Sequence, residues 1–318
     1  MSSPVDVPSG FLVTAKPIGA RSTALVQAAR GCLGRQKVGH CGTLDPLAAG
    51  VLPLAIGRAT RLSEYLLRAP KTYIAAVLFG VQTTTDDLEG AVMRPLQPSP
   101  EPAEVLDVLP RFVGTLHQRP PAASAVQVDG RRAYARARAG EEFTLPEREV
   151  EVHAITAVAQ ATVTTAVCGD RLLLDGGGPG QPALVVALDV RCGRGTFIRS
   201  LARDIGEALG CGASLLALVR TAVGPFRLAD AIGLADLRRA SPAEVAELVH
   251  APDAVLDDVP ACLVEADERD DFVNGRRLGS RSEQTGLHRF YDADGAFLGV
   301  AEHTGGEWRK LRVMVAAA

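Results

Sequence analysis

The chain has 318 residues, 47% of them hydrophobic, so it is long enough for two domains and a sizeable core. Its net charge of −3 argues against a protein that holds nucleic acid by bulk charge, and no stretch reaches the roughly 20 apolar residues that a membrane helix needs. Residues 1–10 have neither a basic run nor an apolar stretch, so they do not form a secretory signal, and we expect a cytoplasmic protein.

The first strands and helices alternate along the chain. Residues 11–15 predict a short strand, and Ser22 can cap a helix over residues 23–33. Residues 58–68 have the periodicity of an amphipathic helix, and residues 71–79 alternate like a strand.

Residues 83–90 predict a polar, acidic loop, and residues 103–113 predict a helix. Three strands are expected between residues 148 and 192, the last two joined by the glycine-rich run 175–180. That run lacks the strand-to-helix context of a phosphate loop, so we interpret it as a turn. Residues 196–209 predict a helix with Thr196 as its cap.

The chain changes character after Pro225. Residues 229–258 are rich in Ala, Asp and Leu with helical periodicity, which predicts a helical linker. Short β-like runs return over residues 262–315, a composition typical of a small barrel.

Charge and cysteine patterns limit the kinds of site. Residues 1–150 carry 17 basic and 14 acidic side chains, whereas residues 151–318 carry 17 and 23. The densest basic cluster comprises Arg131, Arg132, Arg136 and Arg138. It is typical either of a solvated helix face or of a surface that contacts RNA phosphates. None of the six cysteines forms a C-x-x-C pair, so we expect reduced thiols, no metal and no other cofactor.

The most informative stretch is residues 37–46, Lys-Val-Gly-His-Cys-Gly-Thr-Leu-Asp-Pro. Pro46 disfavours helix at Asp45, and the two glycines let the backbone pass close to a bound group. The stretch therefore presents one carboxylate at the lip of a loop. Taken alone, an acid before proline in a glycine-rich loop is usually a turn residue. A phosphohydrolase loop of the D-x-x-G-T-L type is excluded because position 41 is cysteine.

This stretch resembles the catalytic motif G-H-x-G-x-L-D-P of the TruB family of tRNA pseudouridine synthases. Further segments that resemble the family follow in the same order along the chain. In all, the similar segments are residues 10–19, 40–61, 71–73, 120–138, 191–199 and 210–220.

The resemblance implies a fold and a domain organisation. We expect an α/β (α+β) catalytic domain with a mixed, mostly antiparallel sheet over residues 1–228, followed by the helical linker over 229–261. Residues 262–318 are similar to a PUA domain, a small β-barrel that binds RNA. Asn274-Gly275-Arg276 and the closing stretch from Lys310 suit that similarity.

The resemblance also implies an activity, which is isomerisation of uridine 55 in the T loop of tRNA. The reaction breaks the bond from uracil N1 to ribose C1′, rotates the base and rejoins it through C5. It needs a placed carboxylate and a pocket, with no redox step. Asp45 would be that carboxylate, paired with Arg199, which would keep it ionised.

Other residues have implied roles around a base that must be flipped out of the T loop. Tyr73 would stack on the uracil, and His40 would fill the vacated stack. Phe197 would form an apolar wall, and the backbone of Leu218 would read the uracil edge. The residues expected to hold phosphates are Lys16, Lys71, Arg131, Arg132 and Arg136. The expected partner is the T-arm stem-loop of tRNA, bound by a monomer with no membrane attachment.

Four positions depart from the family pattern. Cys41 stands in place of a threonine, Ala123 in place of an aromatic residue and Gln127 in place of a lysine. Phe197 stands in place of a tyrosine, so a mechanism that uses the tyrosine hydroxyl as proton acceptor does not apply here. None of these changes removes the carboxylate.

Two other functions fit part of the pattern. One is a tRNA-binding folding chaperone, for which RNA binding matters more than catalysis. The other is a related synthase that works within a guide-RNA complex. The segment order and the lack of long basic tails argue against the second.

Overall fold

The chain divides into two compact units. A computed structural model describes residues 7–34, 36–123, 127–128, 131–132, 136, 141, 143, 145–175, 180–274 and 284–314. Unit 1 comprises Met1–Pro46, Gly50–Arg68 and Val223–Ala318, and unit 2 comprises Leu47–Ala49 and Ala69–Ala222. The stretch 1–228, predicted as the catalytic domain, thus contributes residues to both units.

The helices of the described residues are α1 (Ser22–Leu33), α2 (Ser63–Arg68), α3 (Pro102–Val108), α4 (Ile198–Ala208), α5 (Leu234–Leu237), α6 (Pro242–Glu247) and α7 (Arg269–Val273). The corresponding strands are β1 (Gly10–Lys16), β2 (Val38–His40), β3 (Ala48–Ile56), β4 (Lys71–Phe79), β5 (Gly114–Gln118), β6 (Gln127–Val128), β7 (Arg131–Arg132), β8 (Arg148–Cys168), β9 (Arg171–Leu174), β10 (Gln181–Cys192), β11 (Ala213–Val223), β12 (Phe226–Arg227), β13 (Ile232–Gly233), β14 (Val249–His250), β15 (Ala261–Leu263), β16 (Gly286–Tyr291), β17 (Phe297–Thr304) and β18 (Glu307–Val313). Short 3₁₀ turns lie at Gly57–Leu62, Leu109–Phe112, Leu228–Asp230 and Pro252–Val255.

Strand β1 organises the sheet of unit 1. It pairs antiparallel with β3 along its whole length, from Gly10 opposite Ile56 to Lys16 opposite Gly50. On its other edge β1 pairs with β13 in parallel and with β14 antiparallel. The stretch predicted as a helical linker therefore contains α5 and α6 and also adds two short strands to this sheet.

Helix α1 covers one face of this sheet. Leu25, Val26 and Ala29 are buried and pack in one cluster with Leu52 and Leu54 of β3. Each fully buried leucine contributes about 2 kcal/mol through the hydrophobic effect. This packing fixes the start of α1 against the β1–β3 pair.

Both predicted helix caps are wrong, although the helices themselves are confirmed. Helix α1 begins at Ser22 itself, after Arg21 as N-cap, with no side-chain cap. Helix α4 begins at Ile198 with Phe197 as N-cap, again with no side-chain cap. The hydroxyl of Thr196 instead donates to the carbonyl of Gly193 at 3.2 Å.

The C-terminal part of unit 1 has a sheet of its own, in the order β15–β16–β17–β18. Phe272, Phe290 and Leu298 are buried in its core, with Trp308 packed against them. The predicted return to β structure is confirmed, but in the described residues the sheet is open, with β15 and β18 at its edges, where a closed barrel was expected. Gly275 and Arg276 lie outside the described residues.

Unit 2 contains a mixed sheet in the order β11–β4–β10–β8–β5, with β9 paired to β8. Strand β10 pairs antiparallel with β4, so that Tyr73 lies opposite Val190 and Lys71 opposite Cys192. Strands β8, β9 and β10 are the three strands predicted between residues 148 and 192. The α/β class with a mainly antiparallel sheet is thus confirmed.

Helix α4 is almost wholly buried within unit 2, and a glycine lets it approach β11. A Cβ atom at Gly206 would lie 2.2 Å from the backbone nitrogen of Ala213 and 2.4 Å from the carbonyl carbon of Gly212. Only glycine fits at that distance, because backbone atoms cannot give way as a flexible side chain can.

We expect Gly206→Ala to lower the free energy of unfolding by about 2 kcal/mol or more, since the new methyl group forces α4 away from β11. Gly31→Ala is the matched control, because Gly31 is also helical and a Cβ there meets nothing within 4 Å. That change should raise the free energy of unfolding by about 0.5 kcal/mol. Urea denaturation measures both, and equal stabilities of the two variants would contradict the close contact.

Candidate active site

Asp45 lies in a loop of unit 1 whose backbone is anchored on both sides of it. Before it, the N–H and the carbonyl of Leu44 both bond to the hydroxyl of Ser22, at 3.0 and 3.1 Å. After it, the carbonyl of Pro46 accepts from the N–H of Gly19 at 2.8 Å. The start of α1 and the turn after β1 therefore hold the loop. The half-buried Asp45 lies between two residues whose backbone is fixed by hydrogen bonds.

Lys16 is the third anchor of this loop. Its side chain is only 1% exposed. The ammonium group donates to the carbonyls of Pro17, Ala20 and Pro46 at 3.0, 2.8 and 3.3 Å. A lysine has three N–H donors, and all three are used. The predicted phosphate contact of Lys16 stays a prediction, and in this structure its charge stabilises the turn and the Asp45 loop from within.

The residues before Asp45 enter the loop from β2. His40 ends that strand, opposite Leu54 of β3 in the register. Cys41 is fully buried in an apolar cluster that includes Phe11 and Val51. Gly42 has a φ of 110°, which favours glycine, so the turn toward Asp45 depends on that residue.

Two predicted residues lie side by side on β4 of unit 2. Lys71 and Tyr73 are separated by one residue, so both side chains point to the same face of the sheet. Tyr73 is mostly buried. Lys71 is 8% exposed, and its ammonium donates to the carbonyl of Ala69 at 2.6 Å. Its contact with a phosphate stays a prediction.

Arg220 of β11 influences Lys71. It is 2% exposed, and sequence analysis assigned it no role, although it ends the family-like segment 210–220. Burial and, to a smaller extent, the nearby Arg220 cation lower the pKa of Lys71 to about 8. A second buried cation on the neighbouring strand thus weakens proton binding at Lys71.

Arg199 has a defined set of partners in unit 2. It is 5% exposed on α4. One terminal nitrogen lies 3.3 Å from a carboxylate oxygen of Asp87 and donates to the carbonyl of Thr85 at 3.1 Å. The other terminal nitrogen donates to the carbonyl of Ala123 at 3.0 Å. The predicted pairing of Arg199 with Asp45 stays a prediction.

Asp87 is itself oriented by its own loop. Its second carboxylate oxygen accepts from the hydroxyl of Thr85 and from the N–H of Glu89. Sequence analysis missed Asp87 because two adjacent acids in a polar loop carry no distinctive signal. The buried carboxylate keeps a negative charge next to Arg199, which holds the guanidinium plane in one orientation.

Phe197 is fixed by a reciprocal pair of hydrogen bonds. Its N–H donates to the side-chain oxygen of Gln118 at 2.8 Å, and its carbonyl accepts from the side-chain nitrogen of Gln118 at 3.1 Å. Gln118 ends β5, so this pair joins that strand to the start of α4. Leu218 lies buried on β11. Contact of either residue with a base stays a prediction.

The arginine cluster is described only in part. Arg131 and Arg132 form β7, opposite Val128 and Gln127, so the alternative of a helix face is wrong for these two residues. The guanidinium of Arg136 lies 2.8 Å from a carboxylate oxygen of Glu141 and 4.9 Å from the ring centroid of Phe143. Tyr134 and Arg138 lie outside the described residues.

A basic cavity of about 480 Å³ lies in unit 1, and no sequence pattern indicated it. Its charged lining residues are Lys37, Arg58 and Arg61, with no carboxylate among the lining side chains. The side-chain oxygen of Gln36, also in the lining, is buried and accepts no hydrogen bond from the described residues. Such a lining favours an anion that also carries a hydrogen-bond donor.

The described residues contain neither a group of side chains that could hold a metal ion nor a helix that could span a membrane. No group of three or more His, Cys, Asp or Glu side chains in this part of the chain is arranged to hold a metal ion. None of the helices described above has the length and apolar character to cross a membrane.

The lowered pKa of Lys71 predicts a pH dependence of stability. Below about pH 8 both states carry the proton, whereas between about pH 8 and the ordinary lysine value of 10.5 only the unfolded state does. The free energy of unfolding should therefore rise with pH over this window by about 1 kcal/mol per unit from Lys71. Urea denaturation at several pH values measures this slope.

Lys71→Met should remove that part of the slope, whereas Lys37→Met, at an exposed lysine, should keep the wild-type slope. Identical slopes in wild type and Lys71→Met would show that the buried lysine does not titrate in this window.

Family models match most of the chain. A model described as TruB family pseudouridylate synthase (N terminal domain) matches residues 30–198, and one described as tRNA pseudouridylate synthase B C-terminal domain matches residues 199–262.

Curated relatives match over nearly the full length. The chain is 38% identical over 298 residues to the tRNA pseudouridine synthase B of Thiobacillus denitrificans, covering 94% of this chain and 93% of the relative. It is 40% identical over 316 residues to the protein of the same name from Ralstonia nicotianae, covering 96% and 94%.

Solved structures share the fold at lower identity. The chain is similar to a protein in the crystal structure of a Cbf5-Nop10-Gar1 complex, with a TM-score of 0.68 and 23% identity, covering 98% of this chain and 86% of the other. An archaeal box H/ACA sRNP Nop10-Cbf5 complex gives a TM-score of 0.67 at 21% identity, covering 98% and 87%. These likenesses concern the fold alone.

Because the two family models together span residues 30–262 and the curated relatives extend the match to almost the whole chain, the chain belongs to the TruB family of pseudouridylate synthases.

Proposed function

We propose that this protein is a tRNA pseudouridine synthase that converts uridine 55 of the T loop to pseudouridine. The observation that carries the proposal is the near full-length match to relatives named tRNA pseudouridine synthase B. The fixed backbone on both sides of Asp45 supports it, because a carboxylate that must meet one atom of a flipped nucleotide needs a preorganised position.

The reaction conserves every atom of the nucleotide. The bond between uracil N1 and ribose C1′ breaks, a bond between C5 and C1′ forms, the C5 proton leaves and N1 takes up a proton. The proposed role of Asp45 is to assist this exchange as a carboxylate, either by attack on carbon or by removal of a sugar proton. Neither route needs an oxidant, a phosphate donor or a metal.

The supporting roles follow the same proposal. Tyr73 stacks on the flipped uracil, Phe197 forms an apolar wall and the backbone of Leu218 reads the uracil edge. His40 fills the vacated stack, and Arg199 keeps the reactive carboxylate ionised. The hydrogen bonds of Phe197 and Arg199 support their part in the proposal, because they fix the backbone of Phe197 and the guanidinium group of Arg199.

The basic cavity is a further proposed contact for RNA. Lys37, Arg58 and Arg61 meet there with no carboxylate in the lining, a combination that favours backbone phosphates. We propose that this cavity, like Arg131, Arg132 and Arg136, contacts phosphates of the T-arm. A monomeric state and a cytoplasmic location belong to the same proposal.

Asp45→Asn should abolish the reaction while the protein still binds RNA. Tritium release from C5-labelled uridine in an unmodified T-arm hairpin measures the chemistry, and we expect a loss of at least about 100-fold. The Kd for the hairpin should stay within a factor of about two, because the substitution changes one atom of the side chain.

Asp107→Asn is the matched control, since Asp107 is exposed on α3, and it should release tritium like the wild type. If wild type binds the hairpin tightly but releases no tritium, the proposal fails and the RNA-chaperone function takes its place. Competition between the T-arm hairpin and unrelated RNAs separates a tRNA enzyme from a synthase that needs a guide RNA.

Lys37→Gln combined with Arg58→Gln should raise the Kd for the hairpin about 10-fold at ~0.1 M salt and make its salt dependence shallower by about one unit per lost phosphate contact. Filter binding over a range of salt concentrations measures both quantities. Arg238→Gln combined with Arg239→Gln removes the same charge from another exposed site of unit 1 and should leave the Kd near the wild-type value. Equal weakening by both pairs would mean that bulk charge, and not the cavity, binds the RNA.

A further inference from the structure

Helix α4 carries two buried arginines that bridge the same two segments of unit 2. Arg199 and Arg203 are four residues apart, so both lie on one face of the helix. One segment is the acidic loop, residues 83–90, and the other is residues 118–123, here called the connector. Arg203 is 6% exposed.

Each arginine makes one bridge. Arg199 joins Asp87 and the carbonyl of Thr85 in the acidic loop to the carbonyl of Ala123 in the connector. Arg203 lies 2.8 Å from Asp86 of the acidic loop and donates to the carbonyl of Arg119 in the connector at 2.9 Å.

The two bridges are mechanically linked because Asp86 and Asp87 are adjacent. Asp86 has a φ of 60°, a left-handed conformation that few residues other than glycine adopt. Its carbonyl also accepts from the N–H of Leu215 at 2.9 Å. Its N–H donates to the carbonyl of Thr83 at 3.3 Å. A strained residue persists only where its surroundings hold it, and the Arg203 ion pair is the contact that holds the side chain of Asp86. A shift of Asp86 therefore moves Asp87 and, with it, Arg199.

Stability alone does not explain a buried ion pair at this place. Burial of charges is costly, and well-packed apolar side chains of similar volume often stabilise a fold equally well or better. Burial raises the pKa of the Asp86 carboxyl, and the Arg203 guanidinium opposes that rise. The ion pair thus persists although removing both charges from water costs free energy. This is typical of ion pairs that fix the geometry of the segments they join.

The connector joins the Arg203 bridge to the part of the chain that is proposed to bind the substrate. It leads directly into residues 124–144, the stretch that holds the arginines proposed to contact RNA phosphates. A cavity of about 240 Å³ borders the bridge, lined among others by Asp86, Arg119 and Arg203. The bridge therefore lies next to open space, and α4 holds the connector there through Arg203 and through Ser200, whose hydroxyl donates to the same Arg119 carbonyl at 2.8 Å.

We propose that Arg203 and Asp86 are positioning residues for the reaction: they fix the acidic loop and the connector on α4 and so keep Arg199 in its working orientation. This inference rests on the proposed function, because the geometry of Arg199 matters only if Arg199 serves the reaction. Neither residue touches the substrate.

Arg203→Lys and Asp86→Asn test the proposal. Lysine keeps the charge but cannot span the carboxylate and the carbonyl with one planar group. We expect each variant to lower the single-turnover rate of tritium release at saturating hairpin by about 10- to 100-fold, because small misplacements near a reacting centre have effects of that size. The Kd for the hairpin should change by less than about threefold, since phosphate contacts remain.

The double variant adds a test of coupling. If Arg203 acts through Asp86, then the second substitution removes an interaction that is already lost, and the double variant should react at about the rate of the slower single variant. Multiplicative effects of the two substitutions would contradict the proposal.

Two controls separate positioning from stability. Val105→Ala shortens a buried side chain on α3 and lowers stability without touching either bridge. At a temperature where all proteins are fully folded, it should react at the wild-type rate. The exposed pair of Arg239 with Asp236 is the matched ion-pair control, and Arg239→Lys should have no effect.

The outcomes are distinguishable from failure of the proposed function. Wild type that releases no tritium contradicts the proposed function itself. Active wild type together with active, folded Arg203→Lys and Asp86→Asn contradicts only the positioning proposal. If Arg203→Lys does not fold, then Asp86→Asn decides: a folded variant with a wild-type rate overturns the proposal, and a folded variant with a lowered rate and an unchanged Kd supports it.

Discussion

A single buried ammonium group organises the loop on which the proposed chemistry depends. Lys16 donates to three backbone carbonyls, one of which belongs to the residue directly after Asp45. Buried carbonyls in a tight turn need donors, and the lysine supplies one to each of the three, in addition to the N–H of Gly19 that serves Pro46. The Ser22 hydroxyl completes the arrangement before Asp45. The backbone position of Asp45 is therefore set by the contacts of its two neighbours, Leu44 and Pro46.

Unit 2 uses charge in a different way. Its helix α4 presents two arginines, and the acidic loop supplies one carboxylate to each of them. Because opposite charges are matched within the unit, no net charge is buried there, although each ion loses its hydration. The same helix faces backbone carbonyls of the connector, so one rigid element holds two irregular segments. Helices and strands position functional groups more accurately than loops alone, and here the loops obtain that accuracy from the helix.

The sequence predicted the regular elements better than the contacts of individual side chains. Strand β1 and helices α1 and α4 follow from the types of residues that lie near one another in the sequence. The roles of Lys16, Ser22 and Asp87 could not be predicted, because their partners are distant in sequence or are backbone carbonyls that no pattern marks. The caps at Ser22 and Thr196 failed for the same reason: a hydroxyl bonds to the acceptor that the tertiary structure brings nearest. The family resemblance identified Asp45 and Arg199, whereas the carboxylate beside Arg199 became visible only in three dimensions.

The burial of Cys41 has a consequence for the chemistry of its thiol. A threonine at this place would bring a hydroxyl into an apolar cluster, whereas a thiol fits there as a small hydrophobic group. Because no solvent reaches Cys41, an alkylating reagent can modify it only when the neighbouring loop opens, while the exposed Cys168 reacts in the closed protein. The rate at which the reagent modifies Cys41 therefore reports how often the segment that carries Asp45 opens. The residue that departs from the family pattern thus supplies a natural probe of how firmly the loop is held.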